Sequence, residues 1–360
     1  MTVKELYDIR LNEYDTSVFE AARSVWDSIA HPLDGLGRLE EDICRIAAAL
    51  NTPVPDISKK ALIIFCADNG VVKEGISQCG NEVTAQVAAL MGMRASSVGM
   101  MTASYPLDIF TVDVGIDSVE RIDGVIGRKV RKGTGNIAVE AAMTEEECLS
   151  AISCGMDMAA QLCDEGYNII ATGEMGIGNT TTSTAMLCAL CGVKPESVTG
   201  RGAGLSDEGL KKKILVIDRA LALHGFDKPA ELSGEYAFKA LCCLGGLDIA
   251  ALTGLYIGAA MHKRPVVIDG LISAVAALCA ECIVEGCRNY MLASHTGKER
   301  GCSVVLDKLG LKSVIDADLA LGEGSGAVLM LPMLDMAISL YNTGTAFNDT
   351  GIDSYERFKQ

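Results

Sequence analysis

Ala61-Leu62-Ile63-Ile64-Phe65-Cys66-Ala67-Asp68-Asn69-Gly70 is a run of seven apolar residues that passes directly into a turn. A strand with one face in water alternates polar and apolar residues. An unbroken apolar run of this length belongs to a strand covered on both faces, as in a parallel sheet. The pattern recurs at Leu107–Asp113, Asn168–Gly173 and Arg264–Gly270, and more weakly at Asn289–Ser294 and Ser313–Asp316. Between most of these runs lie segments rich in Ala, Met and Leu at helical spacing, such as 82–101 and 145–163. The alternation predicts an α/β fold, a three-layer Rossmann-like parallel sheet. Apolar spacing through residues 1–50, with His31-Pro32 closing one helix, predicts helices there, and the stretch Ala327–Leu340 predicts another. These have no strand partners close by, so a second, smaller helical domain is expected from 1–55 and 327–360. The large domain, 56–326, would carry the active site.

Composition narrows the function. The chain has 360 residues, of which 49% are hydrophobic and only 5% aromatic, enough for a core built mainly of aliphatic side chains. With 31 basic and 47 acidic residues the formal charge is −16, which repels phosphate backbones and disfavours nucleic acid as a partner. A small anionic substrate requires local amide donors or a buried cation to overcome that field. The charged first fifteen residues do not resemble a signal peptide, and the apolar runs are too broken for a membrane span, so a cytoplasmic protein is expected. Fourteen cysteines, including Cys188/Cys191 and Cys279/Cys282 inside helical runs, read as core residues of a reducing compartment. His31, His224 and His262 form no cluster with metal-ligand spacing, and no metal or cofactor is expected.

Three glycine-rich segments can carry chemistry. Thr172-Gly173-Glu174-Met175-Gly176-Ile177-Gly178-Asn179-Thr180-Thr181 follows a strand and opens a helix, where backbone amides suit a phosphate. Asn179, Thr180 or Thr181 is expected to cap that helix. The segment lacks the lysine of a triphosphate-binding loop, so a monophosphate fits it better. Thr199-Gly200-Arg201-Gly202-Ala203-Gly204-Leu205-Ser206 is a second loop, itself carrying a cation, and it opens a helix whose inward face includes Leu210, Lys213, Ile214 and Ile217. An inward lysine beside a phosphate cradle is a candidate for the cation that offsets the acidic field. In Leu321-Gly322-Glu323-Gly324-Ser325-Gly326, a glutamate between glycines is a candidate general base if the loop is covered. Asp68, Asp113 and Asp269 end strands and stand where a crevice would lie. His295 is a candidate contact to substrate or to the smaller domain.

Taken together, these segments resemble the nicotinate-nucleotide:dimethylbenzimidazole phosphoribosyltransferases of cobalamin nucleotide-loop assembly. The resemblance runs through Gly35–Glu40, Ala67–Val72, Glu82–Gln86, Gly173–Thr181, Gly200–Leu205, Gly245–Ala250, Val267–Gly270 and Gly322–Gly326, in order along the whole chain. It implies a homodimer that transfers the phosphoribosyl group of nicotinate mononucleotide to 5,6-dimethylbenzimidazole, giving alpha-ribazole 5'-phosphate and nicotinate. It also implies Glu323 as the base, with Glu174 and Lys213 near the transferred group. Gly176, Ile177, Gly178, Asn179, Thr180, Gly202 and Gly204 would surround the phosphate and ribose, and Ser77 and Gln86 would contact the acceptor.

Three places depart from the family's pattern. Asn69 replaces a histidine, 77–81 lacks the usual proline and glutamine, and 31–35 lacks the usual lysine-proline. They are expected near the acceptor rather than the donor loop, which leaves adenine, another benzimidazole or a phenol open as the acceptor. Two other readings compete. A non-catalytic nucleotide-binding protein would have no use for inward carboxylates. A dinucleotide-dependent oxidoreductase would need a glycine fingerprint after the first strand, and Ala67–Val71 does not supply one.

Overall fold

Six strands pair in parallel in the order β3-β2-β1-β4-β5-β6, in a computed structural model that describes residues 1–11, 14–228 and 230–358. The strands are β1 Lys60–Ala67, β2 Asp108–Gly115, β3 Ile126–Gly127, β4 Ile169–Met175, β5 Val266–Ile268 and β6 Met291–Ala293. All eight residues of β1 are buried, as its unbroken apolar run requires. The side chains of β1 alternate between two cores. Ile63, Phe65 and Ala67 face one that includes the helices Glu145–Asp164, Asn179–Cys191, Gly234–Leu244, Leu247–Met261 and Leu271–Ile283. Leu62, Ile64 and Cys66 face the other, which takes in the helices Thr16–Ser28, Arg38–Ala49, Glu82–Gly92 and Ser325–Thr343. The result is a three-layer α/β fold.

Several expectations change at this level. The weak strand at 313–316 is outside the main sheet. Ile315–Asp316 (β8) pairs with His295–Thr296 (β7) in a separate two-stranded parallel ribbon. The stretch 82–101 is two helices, Glu82–Gly92 and Ser97–Met101, because Arg94 turns left-handed at φ 56° and Ser96 caps the second. The helices 16–28 and 325–343 both pack on 38–49, and 325–343 also lies against β4. Leu6 belongs to the opposite core, where Tyr7 meets Phe238 edge-on. Residues 12, 13, 359 and 360 of the expected helical domain fall outside the described residues. All fourteen cysteines are free thiols, and both Cys-x-x-Cys pairs lie in helices. Among the described residues, no helix is long and apolar enough to cross a membrane.

The strand order places the site. The chain builds outward from β1 to β2 and β3, then returns to add β4 on the other side of β1. In such sheets the crevice lies beyond the carboxyl ends of the two strands where the direction reverses. Here those ends are Asp68-Asn69-Gly70 after β1 and Gly176-Ile177-Gly178 after β4.

One layer is unusually close-packed. The helices 145–164 and 247–261 cross with backbone against backbone: a Cβ at Gly155 would lie 2.6 Å from the Leu255 nitrogen, and one at Gly254 would lie 2.8 Å from the Ile152 Cα. Only glycine fits without moving a main chain. Gly254→Val should therefore cost roughly 2–3 kcal/mol through overpacking. A lowered urea midpoint with unchanged slope would show it, and wild-type stability would refute the close-approach argument.

Candidate active site

The loop after β4 is tied down from both sides. A Cβ on Gly176 would stand 3.1 Å from both Asn69 Nδ2 and Asp248 Oδ2, and Gly178 has φ 93°. Both positions need glycine for that reason. The Ile177 N–H donates to Thr84 Oγ1 (3.1 Å), and the Ile177 carbonyl accepts from Asn69 Nδ2 (3.3 Å). Asn69 therefore supports this loop, against the expectation that its departure from the family pattern would spare it. The expected side-chain cap is also absent. Gly178 occupies the cap position of the helix 179–191 and has no side chain to bond there, while Asn179 and Thr180 are engaged with Glu174, Asp248 and Lys213.

Asn179 joins two carboxylates. Its Nδ2 donates to Glu174 Oε2 and to Asp248 Oδ2, the latter at 3.1 Å. Glu174 is buried near the end of β4, and Asp248 is buried in the first turn of the helix 247–261. Burial, reinforced by the like charges of Asp248 and Asp269, pushes the Glu174 carboxyl up to about 8. Burial lifts Asp248 to about 6, against the opposing pull of its bond from Asn179. Asp68 Oδ1, Asn69 Oδ1 and Asp248 Oδ1 are buried with no partner among the described residues. The floor of the crevice is rich in acceptors and short of donors.

Lys213 supplies the opposite charge. It is 1% exposed, and its Nζ donates to Thr180 Oγ1 at 2.8 Å, in the first turn of the uncapped helix. Lys211 and Lys212 face solvent, as their position on the helix Asp207–His224 predicts. A Cβ on Gly202 would be 3.0 Å from Thr180 Oγ1 and 3.5 Å from Lys213 Nζ, so this glycine keeps the approach to both open. Burial lowers Lys213 to about 8, and the carboxylate of Glu299 opposes that shift. Arg201, the cation in the loop itself, is exposed and turned toward Asp207.

Glu323 approaches from the far side of β4. Gly322, Glu323 and Gly324 are three consecutive left-handed residues, with φ 82°, 60° and 82°. The turn lies against β4: a Cβ on Gly173 would stand 2.9 Å from the Glu323 carbonyl, and one on Gly322 would be 3.3 Å from Glu174 Oε1. The half-buried Glu323 accepts the Val98 N–H at 3.1 Å.

The structure thus gathers Glu174, Gly176, Ile177, Gly178, Asn179, Thr180, Lys213 and Gly202, with Glu323 adjoining. Gly204 is linked through its carbonyl to Gln78, whose neighbour Ser77 is half-buried with its hydroxyl 3.7 Å from Cys79 Sγ. Gln86 is not gathered with them. It is exposed on the helix 82–92, whose buried face is Thr84, Ala88 and Met91. Asp113 is occupied elsewhere, accepting from Gly115 and Ile116 and pairing with Lys129 at 3.2 Å. Sequence reasoning missed Asp248, Glu299 and Gln78. A charged residue in the apolar run Leu247–Ala260 was the available sign for the first. Among the described residues, no group of three His, Cys, Asp or Glu side chains is arranged to hold a metal ion.

Comparison with known proteins finds relatives over nearly the whole chain. Residues 11–352 match the family profile described as phosphoribosyltransferase. The nicotinate-nucleotide–dimethylbenzimidazole phosphoribosyltransferase of Acetivibrio thermocellus is 41% identical over 332 residues, 92% of each chain. The chain belongs to this family. The family member of the same name from Ruminiclostridium cellulolyticum is 39% identical over 356 residues, 99% of each chain. The crystal structure of CobT from Thermus thermophilus superposes with a TM-score of 0.87 at 35% identity, covering 94% of this chain and 99% of that one.

The state of Lys213 is testable. Its ammonium form is the one that attracts an anion, and it is lost as pH rises through about 8. Affinity for a ribose 5-phosphate ester, measured by calorimetry, should fall across that pH. Lys213→Met should weaken binding roughly tenfold or more and flatten the pH dependence. Equal affinity in the variant would remove Lys213 from the anion site.

Proposed function

We propose that this chain transfers the 5-phosphoribosyl group of nicotinate mononucleotide to 5,6-dimethylbenzimidazole, releasing nicotinate and alpha-ribazole 5'-phosphate. One observation carries the reading. The buried Lys213 ammonium is bonded to Thr180 at an uncapped helix start, and the adjacent Asn179 joins the buried Glu174 and Asp248. A sugar monoester has an anionic end for the first and a ribose whose developing positive charge suits the second.

In this proposal the loop 176–180 with Gly202 and Gly204 holds the ester. The bond from C1' to the pyridinium nitrogen breaks, and its electron pair stays with nicotinate, which leaves neutral at the ring. A benzimidazole nitrogen forms the new bond on the opposite face, which turns the beta linkage into alpha. Glu323 takes the proton from the other ring nitrogen, so the product leaves neutral at the ring rather than as a benzimidazolium cation. Glu174 is protonated near neutrality in the free protein, and a cationic donor beside it favours the ionised form. Ser77 and Gln86 are assigned to the acceptor; the half-burial of Ser77 supports its part, and the exposure of Gln86 requires that a partner subunit cover it.

That partner is part of the proposal. Leu90, Met93, Met100 and Met101 are exposed on the helices 82–92 and 97–101 and the turn after the first. The neighbouring helix 325–343 exposes Leu329 and Met336. Apolar exposure of this density supports a homodimer. A cytoplasmic location, and the grouping of 1–55 with 327–360 as a helical domain, complete the reading. The free thiols support the former, and the shared packing of 16–28, 38–49 and 325–343 supports the latter.

Incubation with nicotinate mononucleotide and dimethylbenzimidazole should release nicotinate in step with alpha-ribazole 5'-phosphate; a failure to release nicotinate sinks the assignment. Glu323→Gln should lower kcat at least about 100-fold while the donor KM stays within about threefold. Near-wild-type turnover in that variant would discard Glu323 as the base.

A further inference from the structure

The turn that carries Glu323 is an improbable piece of backbone. Of the three successive left-handed residues the two glycines adopt that conformation freely, but Glu323 carries a side chain and pays for it, and such a residue persists only when its surroundings over-determine it. Packing against β4 limits it from one side: a Cβ on Gly324 would stand 2.6 Å from Leu62 Cδ1 and 2.9 Å from the Thr172 carbonyl. What draws the turn into that place is on β5. Asp269, 3% exposed just beyond the strand's end, accepts three backbone N–H groups. Its Oδ2 takes Gly324 at 3.2 Å, and its Oδ1 takes Gly326 at 2.8 Å and Ala327 at 3.2 Å.

These N–H groups open the 19-residue helix Ser325–Thr343, which has no side-chain cap of its own. Its N-terminal dipole and unpaired amides favour an anion at that point. Asp269 is itself anchored. Its N–H donates to Thr172 Oγ1 (3.3 Å), and that hydroxyl also bonds the Val267 carbonyl (2.9 Å). His295 packs against the start of the same helix, since a Cβ on Gly326 would collide with its ring, and its Nδ1 lies 2.9 Å from Ser294 Oγ.

We propose that Asp269 is a positioning residue for the acceptor half-reaction: by gathering the amides of Gly324, Gly326 and Ala327 it fixes the left-handed turn and thereby aims the Glu323 carboxylate. The inference deepens the assignment of Glu323 as the base and rests on it. Asp269 touches neither substrate. Its positioning acts through the backbone at 324–327, apart from Lys213 and the 176–180 loop; its like charge also bears on Glu174, so Asp269→Asn is read beside Gly173→Ala, which keeps that charge.

The test compares wild type, Asp269→Asn, Glu323→Gln and the double variant with nicotinate mononucleotide and dimethylbenzimidazole. Asp269→Asn should lower kcat roughly 10- to 100-fold, the effect of a small misplacement of a reacting group, with donor KM changed less than about threefold. In the double variant the loss should not multiply, because a turn that no longer carries a base has nothing left to aim. Losses that multiply, or a donor KM that rises as far as kcat falls, would overturn the proposal. If Glu323→Gln alone runs at the wild-type rate, the base assignment fails, and positioning is then judged by hydrogen exchange in Asp269→Asn. Faster exchange confined to 324–327 sustains it, and unchanged exchange refutes it. Should Asp269→Asn not fold, Gly173→Ala displaces the same turn and leaves Asp269 intact. It should give the same loss of kcat with unchanged donor KM, and wild-type kinetics in folded Gly173→Ala would count against the idea.

Discussion

The side-chain amide of Asn179 holds the carboxylates of Glu174 and Asp248 together in a place water scarcely reaches, and much of the site exists to keep that arrangement standing. Two anions side by side in a poor dielectric would repel each other and lose their hydration. The molecule meets this with one shared donor and with carboxyls that burial makes harder to ionise. Gly178 stands at the cap without a side chain to bond there, and the N–H groups of Gly178 and Thr180 have no partner among the described residues. Those amides are what an anionic ligand needs.

The same economy governs charge on the larger scale. A chain with a formal charge of −16 is poorly suited to collect a phosphate ester. In the proposed function the attraction is concentrated in one ammonium, Lys213, taken out of water and given a hydroxyl as its hydrogen-bond partner. A desolvated cation acts strongly at short range and little at a distance. Discrimination then comes from the fit around Gly202 and Thr180 rather than from the overall field.

Much of this architecture was legible before any coordinates. The runs at 61–67, 107–113 and 168–173 are strands because burial on both faces leaves no alternation to read, and continuous apolar character is itself the sign. Ile126–Gly127 is too short to leave a pattern, and Ile315–Asp316 reads as a strand but pairs only with His295–Thr296. The break at Arg94 is invisible to periodicity because Met91, Met93 and Val98 continue an apolar texture across it. Among site residues, Glu174, Lys213 and the glycines announced themselves through local spacing. Asp248 and Glu299 did not, since their importance comes from contacts with residues about 70 and 85 positions away. Whether Gln86 faces a crevice or solvent also depends on what covers its helix, which no local pattern encodes.

The parallel order of the sheet has a consequence for how the molecule comes into being. The crevice draws on residues near 68, 84, 175, 213, 248 and 323, so no contiguous fragment of the chain contains it. A polypeptide leaving the ribosome presents β1 about a hundred residues before its neighbour β4, and the turn at 322–324 follows about 150 residues after that. Until then the strand edges and the Ala- and Leu-rich helices stand unsatisfied, which is the condition in which chaperones are recruited. The proposed site is therefore assembled only after every strand of the main sheet has been made, because the turn at 322–324 follows them all.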